Sequence, residues 1–166
     1  MFSRAFSSSA ESEPPRYNGP MRILLVNGPN LNTLGTREPE IYGTTTLAEI
    51  ERAVSQLGSR LGAEVRCFQA NSEGAIIDWL QKEQAAADGL IVNAGALTHY
   101  GLALRDAVAG AGIPAIEVHI SNVWKREGFR HESLLSPVCV GTIVGLGGLG
   151  YDLALEALLR IVKGPD

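Results

Sequence analysis

Five short apolar runs, separated by segments with helical periodicity, most constrain how this chain of 166 residues can fold. The runs predict strands at 22–27, 64–69, 90–93, 115–120 and 138–144. Helices are predicted at 46–61, after a cap at Asn71 or Ser72, at 100–109 and at 151–162, and 123–136 is predicted to be irregular with one short helical turn. Strands that alternate with helices favour a parallel sheet covered on both faces. We therefore expect an α/β fold: a flavodoxin-like, doubly wound, five-stranded parallel sheet with helices on both faces.

The first helix carries the clearest local signals. Thr46-Leu-Ala-Glu49 fits a capping box, in which the threonine hydroxyl and the glutamate carboxylate each accept a backbone N–H that the helix leaves unpaired. Gly62 follows the last apolar position and is typical of the residue that ends a helix.

The first twenty residues differ from the rest of the chain. Residues 1–10 hold one arginine, several serines and no acid, and residues 11–20 hold three prolines. We expect 1–20 to be a disordered N-terminal extension and 21–166 to be a single catalytic α/β domain. An acid-poor start with serine and arginine also fits an organelle transit peptide. Because the segment is short and has a single arginine, a dispensable extension is favoured over a transit peptide. A cytoplasmic location is the main expectation, and an organelle is the alternative.

Charge and hydropathy argue against several classes of partner. The net charge of −4 leaves no broad basic surface for nucleic acid. No apolar run approaches the roughly 18 residues of a membrane span. We expect neither nucleic acid nor membrane as a partner.

Cysteine and histidine usage indicates no metal site. The two cysteines and three histidines show no ligand spacing such as C-x-x-C or H-E-x-x-H, so we expect no metal. Cys67 and Cys139 lie in apolar, strand-like stretches and are interpreted as small buried hydrophobic residues. A disulfide or a nucleophile is the lesser alternative.

Polar side chains follow three of the predicted strands. Asn30 comes after the first strand, Asn93 ends the third, and His119-Ile-Ser121 ends the fourth. Because open α/β sheets bind ligands outside the carboxyl ends of their strands, we expect these residues to share one crevice. Each asparagine alone could be a turn former, so the prediction depends on their coincidence at one edge.

The loop after the first strand is a candidate for the chemistry. It is about fifteen residues long, and loops of this length inside a domain are usually lids or disordered segments. It carries Arg37 and Tyr42, and a guanidinium close to a phenol can lower a tyrosine pKa that is ordinarily near 10. Leu34 to Tyr42 is therefore a candidate lid that could carry a phenolate base; spacing alone favours an ordinary loop aromatic and a solvated arginine.

The fourth strand offers a candidate general acid. His119 follows Glu117 by two residues, so strand alternation places both side chains on one face. A carboxylate there can fix the tautomer of the imidazole and favour its protonated form, although a satisfied core histidine is an equal alternative. Arg126 or Arg130 could serve an anionic or polyhydroxylated substrate, or both could be solvated, and His131 is interpreted as a surface residue.

A glycine-rich segment imitates a nucleotide motif. Residues 145–150 match G-x-G-x-x-G, but only sixteen residues follow Gly150, too few for the helix and strand that a dinucleotide site needs. We interpret these glycines as easing a tight turn into the last helix. A flavin- or nucleotide-binding module is the alternative function, and Pro29 disfavours it because proline removes a donor amide from the loop after strand one.

Taken together, these segments resemble the type II 3-dehydroquinate dehydratases. The matching segments are 27–32, 34–39, 42–43, 93–99, 104–106, 116–122, 129–130 and 141–147; they include Asn-Gly-Pro-Asn-Leu-Asn at 27–32 and Ile-Glu-Val-His-Ile-Ser-Asn at 116–122. The resemblance covers residues 21 to about 162. Thr33 and Trp124-Lys125 depart from the family pattern beside the expected site.

The resemblance implies a lyase that dehydrates 3-dehydroquinate to 3-dehydroshikimate by anti elimination through an enolate, with no metal or organic cofactor. Tyr42 would remove the C2 proton as a phenolate, and Arg37 would hold its pKa down. Asn30 would stabilise the enolate through a water. His119 would protonate the departing C1 hydroxyl, with Glu117 positioning it.

The resemblance also implies the substrate contacts. Asn93 and the backbone amides of Ile120 and Ser121 would bind the substrate carboxylate. His99 and Arg130 would hold the ring hydroxyls. The family serves the shikimate pathway or quinate catabolism, and the sequence does not choose between them.

A homo-oligomer is the remaining implication. The family assembles trimers into dodecamers, and Asp106 would reach the site of a neighbouring subunit. The sequence separately disfavours the other dehydroquinase chemistry, which uses a lysine Schiff base. Lys82, Lys125 and Lys163 all lie in polar or terminal stretches that would not yield a free amine at neutral pH.

Overall fold

A computed structural model describes residues 19–36 and 44–164. Its core is one five-stranded parallel sheet in the order β2-β1-β3-β4-β5, which confirms the predicted flavodoxin-like fold. The strands are β1 Met21–Asn27, β2 Ala63–Gln69, β3 Gly89–Asn93, β4 Ala115–His119 and β5 Gly141–Val144. The helices are α1 Leu47–Leu61, α2 Glu73–Glu83, α3 Leu102–Gly110 and α4 Leu149–Lys163. The predicted N-terminal extension, apart from 19–20, and both Arg37 and Tyr42 lie outside the described residues.

Alternation along β1 divides the core into two halves. Ile23 and Leu25 pack into a cluster with α1 and α4, whereas Leu24 and Val26 pack into a second cluster with α2 and α3. Successive strand side chains point to opposite faces, so a continuous apolar run requires helices on both sides. The sheet is therefore covered by helices on both faces. Among the described residues, the side chains at the ends of its central strands are the ones available to form a ligand site.

The predicted capping of α1 is confirmed. Thr46 accepts the backbone N–H of Glu49, and the Glu49 carboxylate accepts the backbone N–H of Thr46 at 2.8 Å. Gly62 closes the helix in the left-handed conformation, at φ +79°. A side-chain cap of this kind is worth about 1 kcal/mol.

The structure corrects several predicted boundaries. β5 begins at Gly141 rather than at 138, because Ser136–Val138 forms a 3₁₀ turn in which Pro137 has no N–H to donate to a ladder. A 3₁₀ turn at Gly95–His99 delays α3 to Leu102, and β4 ends at His119, one residue early. The segment 123–136, predicted to hold one helical turn, contains two, and a third begins at its last residue, Ser136.

The switch point of the sheet lies between β1 and β3, where chain order reverses. The loops that leave these two strands approach each other very closely at Gly28. A Cβ atom there would lie 2.2 Å from the carbonyl oxygen of Ala94, so only glycine fits. The Gly28 N–H donates to the Asn93 carbonyl at 2.7 Å and fixes the approach.

The cysteines are free and half-buried, and each packs against one of the two clusters. Burial, aided by the negative charge of Glu51, raises the pKa of the Cys67 thiol to about 11. Burial and Glu117 likewise raise the pKa of Cys139 to about 12. Both are neutral thiols near pH 7, which argues against the nucleophile alternative.

No helix among the described residues is long and apolar enough to span a bilayer.

Candidate active site

A cavity of about 160 Å³ opens at the carboxyl ends of β1, β3 and β4. Its walls come from the three segments that follow these strands. The lining residues are Pro29, Asn30, Leu31, Thr33, Leu34, Asn93, Gly95, Ala96, His99, His119, Ile120, Ser121, Val123, Arg126 and Arg130. The residues that were predicted to share a crevice, Asn30, Asn93 and 119–121, all contribute to this one.

A chain of buried polar side chains supports the cavity from the face of the sheet that carries α1 and α4. Asn93 donates from Nδ2 to the Tyr151 hydroxyl at 2.7 Å, and Tyr151 donates to Asn27 Oδ1 at 2.8 Å. Asn27 in turn donates to the Glu51 carboxylate at 3.0 Å. Tyr151 is fully buried, and burial raises its pKa. Each amide is thus held in one orientation, because every contact in the chain has a defined donor.

Asn30 adopts a left-handed backbone conformation, with φ +66°. Among the described residues it alone does so without being a glycine, and such conformations tend to persist where the surroundings hold them. The Asn30 N–H donates to Asn71 Oδ1 at 2.9 Å, and Gln69 donates to the same oxygen at 3.1 Å. Thr33 donates its hydroxyl to the Asn30 carbonyl at 2.7 Å. The end of β2 therefore braces the asparagine from one side and Thr33 from the other.

Glu117 and His119 form a buried pair on the opposite face of the sheet. His119 Nε2 lies 2.8 Å from Glu117 Oε1, as strand alternation predicted, and both side chains are buried. Burial opposes ionisation of Glu117, but hydrogen bonds from His119, Ser136 and Thr98 outweigh it and lower the carboxyl pKa to about 2. Because the carboxylate can only accept, Nε2 carries the proton. His119 Nδ1 then has no hydrogen-bond partner among the described residues, and the ring lines the cavity.

Three cationic or potentially cationic residues line the rest of the cavity. His99 Nδ1 contacts the Glu132 carbonyl at 2.7 Å, which leaves Nε2 as its other polar atom. Arg130 donates to Glu127 at 2.9 Å and stacks over the Phe129 ring at 5.0 Å. Arg126 lies 3.6 Å from the same carboxylate and is largely buried. The two guanidinium groups at the cavity favour an anionic ligand.

The glycine-rich turn before α4 has the structural role that was predicted for it. Gly145 and Gly147 have φ of +85° and +60°, which side chains rarely adopt. Their N–H groups donate to the carbonyls of His119 at 2.9 Å and of Ile120 at 3.0 Å. The turn therefore fixes the backbone just where β4 delivers His119, Ile120 and Ser121 to the cavity.

Other predicted residues lie elsewhere. Asp106 is on α3, with a side chain 74% exposed and paired with Arg105, and it does not line the cavity. Trp124 was expected beside the site; its neighbours Val123 and Arg126 line the cavity, and its own ring is exposed and packs on the His131 ring, with centroids 5.4 Å apart. His131 is exposed, and so are all three lysines, in agreement with the sequence interpretation.

Sequence reasoning missed the residues that support the site from behind. These are Asn27, Glu51, Gln69, Thr98, Ser133, Ser136 and Tyr151, and Asn71 was considered only as a helix cap. Asn27 and Gln69 both end strands, which was a usable signal. Thr98 lies in the matching segment 93–99, but Ser133, Ser136 and Tyr151 gave no signal, because serine is common in loops and Tyr151 falls on the apolar face of α4.

Among the described residues, no cluster of histidine, cysteine, aspartate or glutamate has the arrangement of a metal site.

Comparison with known proteins gives a consistent result. The family model for class II dehydroquinases matches residues 21–159. A protein named 3-dehydroquinate dehydratase from Anoxybacillus flavithermus is 55% identical over 144 residues, which are 87% of this chain and 97% of that protein. The crystal structure of a type II dehydroquinase from Butyrivibrio crossotus superposes with a TM-score of 0.82 at 48% identity, covering 84% of this chain and 98% of that one. A 3-dehydroquinate dehydratase-like protein from Bifidobacterium longum is more distant, with a TM-score of 0.65 at 28% identity over 87% of this chain and 99% of its own.

Proposed function

The chain belongs to the class II dehydroquinase family, which makes it a type II 3-dehydroquinate dehydratase, and from this premise we propose how its residues perform the reaction. The substrate is 3-dehydroquinate, and loss of water gives 3-dehydroshikimate in the shikimate pathway. The elimination is anti and passes through an enolate. One proton leaves C2, and the hydroxyl leaves C1 with a proton supplied by the enzyme.

His119 is the general acid, and the buried pair with Glu117 is the observation that carries this proposal. A carboxylate 2.8 Å from Nε2 stabilises a protonated imidazole by charge and by a hydrogen bond. The proton on Nε2 is committed to Glu117, so Nδ1 is the nitrogen that donates to the leaving hydroxyl. Glu117 positions the ring and does not touch the substrate.

Tyr42 is the base, and Arg37 stabilises its phenolate. This assignment rests on the family motif, since both residues lie outside the described part of the chain. Asn30 stabilises the enolate oxygen, through a water, from a loop that Asn71 and Thr33 brace. Its left-handed backbone holds the residue at the rim of the cavity before substrate binds.

The substrate carboxylate binds at Asn93 and at the backbone amides of Ile120 and Ser121. Tyr151 and the Gly95 N–H fix the Asn93 amide, so this residue offers its remaining Nδ2 proton in a fixed direction. His99 and Arg130 hold the ring hydroxyls. Arg126 adds to the positive charge that attracts the anion.

The enzyme works as a homo-oligomer, with Asp106 contributing to the site of a neighbouring subunit. This accounts for a carboxylate that is 74% exposed and outside its own cavity. A dodecamer built from trimers is the assembly that the family resemblance suggests. Light scattering on the purified protein would distinguish it from a trimer or a monomer.

An ultraviolet assay with 3-dehydroquinate tests the function. We expect the conjugated enone of 3-dehydroshikimate to form, and to form equally after treatment with borohydride, because no lysine Schiff base is involved. Absence of the enone from folded protein would contradict the proposed activity. Inactivation by borohydride with substrate would contradict the enolate mechanism.

A further inference from the structure

Three hydroxyl groups surround the Glu117 carboxylate, and we call Thr98, Ser133 and Ser136 the hydroxyl cage. Thr98 donates to Oε1, Ser136 donates to Oε2 at 2.5 Å, and Ser133 lies 2.9 Å from both oxygens. With His119 added, a fully buried carboxylate receives four donors. The cage residues come from two segments, one after β3 and one before β5, so it exists only in the folded chain.

The hydrogen bonds around the cage favour one direction for its protons. Ser133 Oγ accepts the N–H groups of Leu135 at 3.1 Å and Ser136 at 2.9 Å, so its hydroxyl proton is available for donation. The Thr98 hydroxyl lies 3.0 Å away, but the charged Glu117 carboxylate at 2.9 Å is the stronger acceptor for that proton. Ser136 gives its proton to Oε2, and its 3.1 Å contact with the Thr142 hydroxyl is therefore donated by Thr142. Each cage proton thus points at Glu117. A proton on the carboxylate itself would have to displace one of these donors.

We propose that the hydroxyl cage positions the general acid by holding Glu117 as a carboxylate, so that the proton shared by the pair resides on His119. This inference rests on the proposed role of His119. A carboxylate that took the Nε2 proton would leave a neutral ring, and the proton that remains on Nδ1 of a neutral imidazole is far less acidic than that of an imidazolium, so it would be a poor donor to the leaving group. Donors filling its lone pairs make that state unfavourable, and they replace the water that burial removes.

The other groups around Glu117 and His119 do not keep Glu117 ionised. Cys139, which lies against Glu117 from the segment before β5, is a neutral thiol near pH 7. Arg126, Arg130 and His99 line the cavity, where the two arginines pair with Glu127 and His99 contacts the Glu132 carbonyl. No carboxylate lines the cavity among the described residues. The cage is therefore the part of the surroundings that controls where the proton of the pair resides.

The test is Ser136→Ala, read in two ways. Loss of a donor makes the carboxylate more basic and strengthens its pull on the imidazolium, and both changes raise the pH at which the pair loses its shared proton. We expect the alkaline limb of the kcat profile to move up by about one pH unit. We also expect kcat to fall by less than the roughly 10²–10⁴-fold that general acid catalysis contributes, with KM little changed.

A second readout does not depend on turnover. The sequence has three histidines, so protein labelled at histidine Cε1 should give three ring carbon signals in nuclear magnetic resonance. The His119 signal is the one lost in His119→Asn. Its pH midpoint should rise in Ser136→Ala by the same amount as the kinetic limb.

Matched variants distinguish the loss of a hydrogen-bond donor to Glu117 from a general loosening of the 3₁₀ turn that carries Ser136. Ser136→Thr keeps a hydroxyl and should retain the native midpoint. Val138→Ala loosens the same 3₁₀ turn, through its packing on the core, but removes no donor from Glu117, and it should leave the midpoint unchanged. If Ser136→Ala does not fold, Thr98→Val removes another cage donor with almost no change of volume.

Different experimental results would contradict the role of the hydroxyl cage and the proposed function. An active native enzyme with an unshifted His119 midpoint in folded Ser136→Ala or Thr98→Val would overturn the role of the cage. A midpoint that moves equally in Val138→Ala would also overturn it. An inactive native enzyme would instead contradict the proposed function, and the ring signal would still decide whether the cage controls the proton.

Discussion

At the scale of single residues, we expect that the proposed base and acid can each be replaced with a loss of turnover but no loss of the fold. Tyr42→Phe and His119→Ala should each lower kcat by about 10²–10⁴-fold, because each removes one proton-transfer group. His119→Ala should stay folded, since the hydroxyl cage still satisfies the buried Glu117 carboxylate. Steady-state kinetics with circular dichroism would measure both effects. Near-native turnover in Tyr42→Phe would show that another group is the base.

Tyr151 allows a test of the buried polar chain. Tyr151→Phe keeps the ring but leaves Asn93 Nδ2 without its acceptor and Asn27 Oδ1 without its donor. Buried groups left unpaired in this way cost about 1–3 kcal/mol, so the free energy of unfolding should fall by that amount. Because Asn93 is a proposed carboxylate contact, KM should rise more than kcat falls. Denaturant titration and kinetics on the same preparation would test both, and an unchanged KM would separate Tyr151 from substrate binding.

At the scale of elements, the close approach of the loops after β1 and β3 should tolerate no side chain. Gly28→Ala would place a methyl 2.2 Å from the Ala94 carbonyl oxygen, so the two loops must separate and strain the Gly28–Asn93 hydrogen bond. We expect a loss of several kcal/mol or failure to fold, as for other severely overpacked sites. Gly62→Ala is the comparison: it has a positive φ but open space around its Cβ, so its cost should be about 1 kcal/mol. Equal melting temperatures for the two variants would show that the approach is unimportant.

The elements also show which features of the fold could be predicted from the sequence. The capping box at Thr46 and the apolar run of β1 predicted α1 and the sheet, because their signals are local. The start of β5 was wrong, since the apolar pattern from 138 outweighed the missing N–H of Pro137. The pair of Glu117 and His119 followed from strand alternation alone.

The remainder of the site was not predictable from the sequence, for a physical reason. Ser133 and Ser136 reach Glu117 across 16 and 19 residues, and Tyr151 reaches Asn27 across 124. No local pattern encodes such contacts, because they depend on how the helices and loops pack against the sheet. The family resemblance supplied the roles of Tyr42, Arg37 and Asp106, which composition and spacing alone left open.

For the whole molecule, Glu117 should make stability depend on acidity. The folded pKa of about 2 lies below its ordinary 4.5, so the unfolded chain binds the proton more readily. The stabilisation is complete above about pH 4.5 and is lost as the pH falls toward 2. Glu49 and Glu127 also have lowered pKa values, but they are exposed and add little.

Denaturant titrations at several pH values would measure this dependence. The free energy of unfolding should fall across that window in the native chain, and less steeply in Glu117→Gln. The same slope in both chains would assign the acid sensitivity to other carboxyls.

Because Tyr151 is fully buried, its ionisation should report the rate at which the protein unfolds. Its phenol gives its proton to Asn27 and meets no solvent, so hydroxide cannot reach it while the chain is folded. After a jump to alkaline pH, the tyrosinate absorbance that Tyr151→Phe lacks should therefore grow at the rate of unfolding. The rate at which this absorbance appears would therefore measure the unfolding rate of the native chain, without any added dye.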